Sequence, residues 1–126
     1  MNIFYLHDDP VTCAKMHCDK HVVKMIVEYA QLLSTAHHVC DGEPKIHCYK
    51  ATHKNHPSAV WARANKHNYN WLHSLLVATA EEYHRLGLRK VFIRNILSTH
   101  KRFCQPFKRF CQPFKRFCQP FKRLRF

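Results

Sequence analysis

The sequence predicts an all-α fold: a compact bundle of three to four helices, with a short extended N-terminal arm and an irregular, basic C-terminal tail. Three observations predict it. Residues 1 to 100 hold only two glycines and three prolines, too few breakers for a structure rich in turns. Two long stretches repeat apolar residues at the three- and four-residue spacing of a helix face. Each stretch also opens on helix-start chemistry, Asp9-Pro10 in the first and Pro57 in the second.

The elements follow in chain order. MNIFYL is short, apolar and β-prone, and is expected to lie as an extended arm across the core. Asp9 supplies a carboxylate for free backbone N–H groups, and Pro10 suits the first helical position. Val22, Val23, Ile26, Ala30 and Leu33 then mark one apolar face, with Met25 and Tyr29 alongside. A break near Cys18-Asp19 is expected, with Asp19 capping a second helix that runs out by about Val39. Residues 41–55 form a polar, basic linker containing Asp-Gly and a proline. From Pro57 to Gly87 the pattern is helical again, divided near Ala64 to His67. Its second half carries a stripe of Tyr69, Leu72, Leu76 and Ala80, widened by Trp71 and Leu75. A third segment, Arg89 to Thr99, repeats the apolar pattern with Val91, Phe92, Ile96 and Leu97.

Net charge is +13, but it is unevenly spread. Residues 101–126 hold nine of the 21 Lys and Arg and none of the eight acids, so residues 1–100 carry +4. A cationic balance of this kind favours polyanion partners without specifying a fold. The tail reads KRFCQPF three times and ends KRLRF. Its seven-residue period is no coiled coil, because Pro106, Pro113 and Pro120 each remove a helical donor. An extended or disordered arm is expected there. Its Phe and Arg side chains would suit base stacking and phosphate contact. The plainer origin is tandem duplication of a short coding segment. The N-terminus lacks a secretory pattern and no apolar run reaches membrane-spanning length, so a soluble, cytoplasmic protein is expected.

The stretch HDDPVTCAKMHCDKHVVKMIVEYAQ, residues 7–31, concentrates the reactive side chains. Cys13, His17, Cys18 and His21 fall at spacings of three to five and invite a zinc reading. Zinc sites need four converging ligands, commonly from paired short motifs, and no C-x-x-C occurs in the chain. No metal or other cofactor is therefore expected. A nucleophilic cysteine is a second candidate, since Cys18 lies near a helix start. Nothing in the pattern singles out its histidine partner.

The third reading rests on Asp19-Lys20-His21 and Glu28. Seven residues separate His21 from Glu28, two helical turns, so both lie on one helix face. Together with MNIFYLH at the start, Asn55-His56-Pro57 before the second long helix, and EEYHRLG at its end, this order of anchors resembles the pyrimidine-dimer DNA glycosylases of the phage endonuclease V type. Proteins of marine phages also look similar across nearly all of residues 1–100. The arginines that flank the catalytic glutamate in that family are Val27 and Gln31 here, and the tail has no counterpart in it.

The resemblance implies a DNA-repair glycosylase with abasic-site lyase activity, acting as a monomer on damaged double-stranded DNA without metal. The α-amine of Met1 would be the nucleophile and Glu28 its electrostatic partner. His21, Lys24, Lys54, His56 and Arg63 are the candidate DNA contacts. For His21 the alternative is a buried, hydrogen-bonded histidine. The alternative for the whole chain is a non-catalytic, phage-type nucleic-acid-binding protein that uses a basic face and the arm.

Overall fold

The computed structural model describes residues 2–41 and 49–88. The described residues form four helices: α1 (Pro10–Lys15), α2 (Asp19–Cys40), α3 (Pro57–Ala64) and α4 (Lys66–Arg85). Helix α4 packs on α1, α2 and α3, and α3 also packs on α2. The all-α bundle expected from the sequence is the observed fold. The segment Arg89 to Thr99 and the tail 101–126 lie outside the described residues.

Helix α1 starts as its sequence dictates. Asp9 Oδ2 accepts from the Thr12 backbone N–H at 2.8 Å and from the Thr12 hydroxyl at 2.7 Å, with Pro10 at the first turn. The Thr12 hydroxyl and backbone bonds hold the Asp9 carboxyl below the usual carboxylate range. The expected break before α2 is present, but its chemistry differs. Cys18 occupies the cap position and makes no side-chain cap bond, while Asp19 stands in the first turn. There its charge complements the helix dipole instead of closing a hydrogen bond.

Helix α2 is the spine of the molecule, 22 residues long and ending one residue beyond Val39. Met25, Ile26, Tyr29, Leu32 and Leu33 are almost fully buried. Val23, expected on the apolar face, is 43% exposed. One step along a helix turns the side chain by about 100°, so Val22 takes the inward position and Val23 does not. The second helical stretch divides at Asn65, whose extended backbone ends α3 and whose Oδ1 accepts from Asn68 N at 2.8 Å to start α4. Leu72, Leu75 and Leu76 meet the α2 stripe with no residual exposure. Each such side chain contributes about 1.5–3 kcal/mol of burial. Gly87 then takes φ +73°, a left-handed conformation that favours glycine at a helix end. No helix among the described residues is long and apolar enough to cross a membrane.

Candidate active site

Residues 2–7 have no regular structure, yet side chains fix them in place. The Phe4 N–H donates to the Tyr29 hydroxyl oxygen at 3.4 Å. Cys13 Sγ donates to the Phe4 carbonyl at 3.1 Å and accepts from Leu6 N at 3.4 Å. His17 completes the clamp: its Nδ1 meets the Cys13 carbonyl and its Nε2 meets the Tyr29 hydroxyl, both at 2.7 Å. A carbonyl can only accept, so Nδ1 carries the proton and Nε2 accepts from tyrosine. Burial pushes the His17 pKa down, consistent with this neutral form, and pushes the Tyr29 phenol up.

This clamp directs the arm along α2. The Phe4 ring lies 4.7 Å from the His21 ring, centroid to centroid. Two turns on, the Asn2 backbone N–H donates to Glu28 Oε2 at 3.1 Å. The arm thus meets both ends of the His21–Glu28 spacing. Glu28 Oε1 also has Lys24 Nζ at 3.6 Å, with 16% of the Glu28 side chain and 72% of the Lys24 side chain exposed. A carboxylate held at a partly closed site is suited to stabilising developing positive charge, although the exposed ammonium of Lys24 offsets part of its own charge.

The other expected residues are dispersed. Met1 lies outside the described residues. His21 is exposed, not buried; the buried histidine of this region is His17, one turn earlier on the core side. Lys54 is exposed in the turn before α3. His56 is half-buried, and its Nδ1 accepts from Ser58 N at 3.2 Å, so this ring caps α3. Arg63 lies close enough to Cys40, at the far end of α2, for its charge to oppose the upward push that burial gives the thiol, and its Nη1 is buried without a hydrogen-bond partner among the described residues. Twelve residues of helix separate Cys40 from Glu28, about 18 Å along the axis. Arg63 therefore does not join the Glu28 cluster. Among the described residues no group of three or more His, Cys, Asp or Glu could hold a metal ion. Cys13 Sγ is engaged by the arm and the His17 ring nitrogens by the Cys13 carbonyl and the Tyr29 hydroxyl, whereas Cys18 and His21 are exposed.

Beside the arm lies a cleft of about 670 Å³, lined by residues that include Tyr5, Ser58, Trp61, Asn68 and Trp71. The sequence pattern places Trp71 beside the core stripe of α4 and gives Trp61 no role. No local signal marks them, because the cleft forms only when the arm reaches α3 and α4. Comparison with protein-family models, curated proteins and solved structures finds no match to this chain.

Proposed function

We propose that the protein is a DNA-repair glycosylase with abasic-site lyase activity, acting as a monomer on damaged pyrimidines, such as pyrimidine dimers, in double-stranded DNA. The observation that carries this reading is the hydrogen bond from Asn2 N to Glu28 Oε2, which brings the residue next to Met1 onto a carboxylate 26 positions away. A glutamate beside the start of the chain is the pairing that amine-based base excision requires.

The chemistry follows from those groups. An α-amino group ordinarily titrates near 8, so part of it is neutral at physiological pH. The Met1 nitrogen attacks C1′ of the damaged nucleotide, and the bond from C1′ to the base breaks. The electron pair leaves with the base, which takes up a proton. Transfer of a proton from nitrogen to O4′ as the C1′–O4′ bond opens gives a protonated imine and a free C4′ hydroxyl. Removal of a C2′ proton then expels the 3′ phosphate and nicks the strand. Glu28 stabilises the cationic sugar in the first stage and assists proton transfer in the second. Lys24 and Lys54 stand exposed for phosphate contact.

The test is strand cleavage of a duplex containing one abasic site, with a chelator present. Nicking without added metal is the expected result. Binding without nicking would overturn the reading in favour of a non-catalytic nucleic-acid-binding protein.

A further inference from the structure

We propose that the cleft walled by Tyr5, Trp61 and Trp71 is a docking surface for an extended, proline-containing segment, and that its occupant is one KRFCQPF copy of the chain's own C-terminal tail. This inference does not depend on the glycosylase reading.

The rings form a ridge and not a slot. Tyr5 stacks on Trp71 with centroids 4.6 Å apart, and Trp61 stands at 88° to Trp71 with centroids 5.9 Å apart. The rings touch one another, so a ligand lies over them instead of between them. Trp71 Nε1 donates to the Asp8 carbonyl at 2.6 Å, which fixes the indole. Tyr5 remains 54% exposed, and Ile3 and Pro57 extend the apolar surface. An open groove ridged by fixed aromatic rings is the kind of surface on which extended, proline-containing peptides dock. Proline arrives with φ already set, so docking costs less conformational freedom.

The tail offers the matching chemistry three times. Each copy ends on a proline followed by phenylalanine: Pro106-Phe107, Pro113-Phe114 and Pro120-Phe121. These pairs present apolar ring faces to the aromatic ridge. Each copy also opens on Lys-Arg, and the cleft has an acidic rim. Asp8 is exposed there, and its Oδ1 accepts from the Tyr5 hydroxyl at 2.7 Å. A docked copy therefore sets its cations toward Asp8 and its Pro-Phe pair on the rings.

Chain length permits the return. Helix α4 begins at the cleft, where His67, Asn68 and Trp71 line it, and its 20 residues carry the chain about 30 Å away. Eighteen positions separate Leu88 from Pro106, a reach of about 59 Å when extended. With Arg89 to Thr99 helical, as its spacing predicts, the reach to Pro106 is still about 40 Å. Both exceed the length of α4. Later copies return with more slack, so three copies serve one cleft and two stay available to polyanions. A tethered segment sits at an effective concentration of about a millimolar, so weak affinity suffices for docking. Its loss then leaves the thermal midpoint in place.

Both tryptophans of the chain line the cleft, so acrylamide quenching of their emission reports its occupancy. The full-length protein is compared, under reductant, with two full-length variants. One carries Phe107→Ser, Phe114→Ser and Phe121→Ser; the other carries Pro106→Gly, Pro113→Gly and Pro120→Gly. Both keep all nine tail cations. Each should raise the quenching constant, about twofold for a weak site half filled by its tethered segment. Free KRFSQPF peptide at millimolar concentration should restore protection to the variants. Equal quenching of native and variant proteins, or variants that the peptide does not protect, overturns the inference. Protection that grows with protein concentration seats the tail of a second copy in the cleft and overturns the intramolecular assignment. Should one variant lose its helicity, the other decides.

Discussion

Two histidine–tyrosine pairs use the same chemistry at two places along α2, and they hold different things. His17 and Tyr29 clamp an irregular arm: the imidazole donates to the Cys13 carbonyl, accepts from tyrosine, and the tyrosine oxygen accepts from Phe4 N–H. His37 and Tyr69 join α2 to α4 in the core, with Nδ1 on Asp41 at 2.8 Å and Nε2 on the Tyr69 hydroxyl at 2.8 Å. Burial lowers the pKa of both histidines, even though Asp41 favours the protonated form of His37. The first pair positions the candidate site; the second secures the scaffold. Disturbing them separately should therefore separate activity from stability.

The largest contrast is expected at the site itself. Glu28→Gln is nearly isosteric and leaves both clamps intact, so the thermal midpoint should hold. Base excision should fall about 10²- to 10³-fold from loss of an electrostatic stabiliser. DNA binding should persist, as measured by fluorescence anisotropy. A midpoint that drops together with activity would make Glu28 a structural residue.

Acid should act on the core through His73, which is buried beside the second pair. His73, buried near His37, has its pKa pushed down to about 4 by desolvation. The unfolded chain binds that proton below about 6.5, whereas the folded chain refuses it until about 4. Stability is thus complete above pH 6.5 and is lost as pH falls from 6.5 toward 4, by on the order of 3 kcal/mol for His73. Thermal melts across that window should show the decline, and His73→Gln should flatten it. A curve equally steep without His73 would move the effect to other groups.

Tyr29→Phe and Tyr69→Phe make a smaller, matched comparison. Each takes a hydroxyl from a buried imidazole, which costs about 1–3 kcal/mol. Tyr69→Phe should lower the midpoint and leave excision nearly unchanged below the transition. Tyr29→Phe should lower both, because it also releases Phe4. Equal activity losses in the two variants would erase the distinction between arm clamp and core clamp.

The smallest structural effect is expected from removing residues 101–126. The midpoint should not move, while nine fewer cations should flatten the salt dependence of DNA binding. Loss of the cooperative melt would show that the tail belongs to the fold.

Local chemistry made much of this legible in the sequence. Asp9-Pro10, Pro57 and Gly87 carry their own backbone preferences, and the break at Asn65 fell within the expected interval. Helical spacing also placed His21 and Glu28 on the side that the arm follows. Other features were not legible because they depend on distant partners. Nothing near His17 says that it is buried and His21 is not, since that depends on which face meets Tyr29 and the arm. The Tyr5–Trp71 stack joins positions 66 residues apart, and no periodicity reports it. The cap of α2 shows a third limit: Asp19 looked like a cap but sits one residue inside the helix.

The most direct test of the amine–carboxylate pairing is borohydride trapping. The protein is incubated with abasic-site duplex and reductant, then compared with a form whose N-terminus carries a retained extension. Reduction fixes a Schiff base as a covalent adduct. The native protein should trap, with the adduct mapping to Met1, and the extended form should not. Trapping of the extended form as efficiently as the native one would contradict the account, because the nucleophile would then be a lysine side chain instead of the Met1 amine.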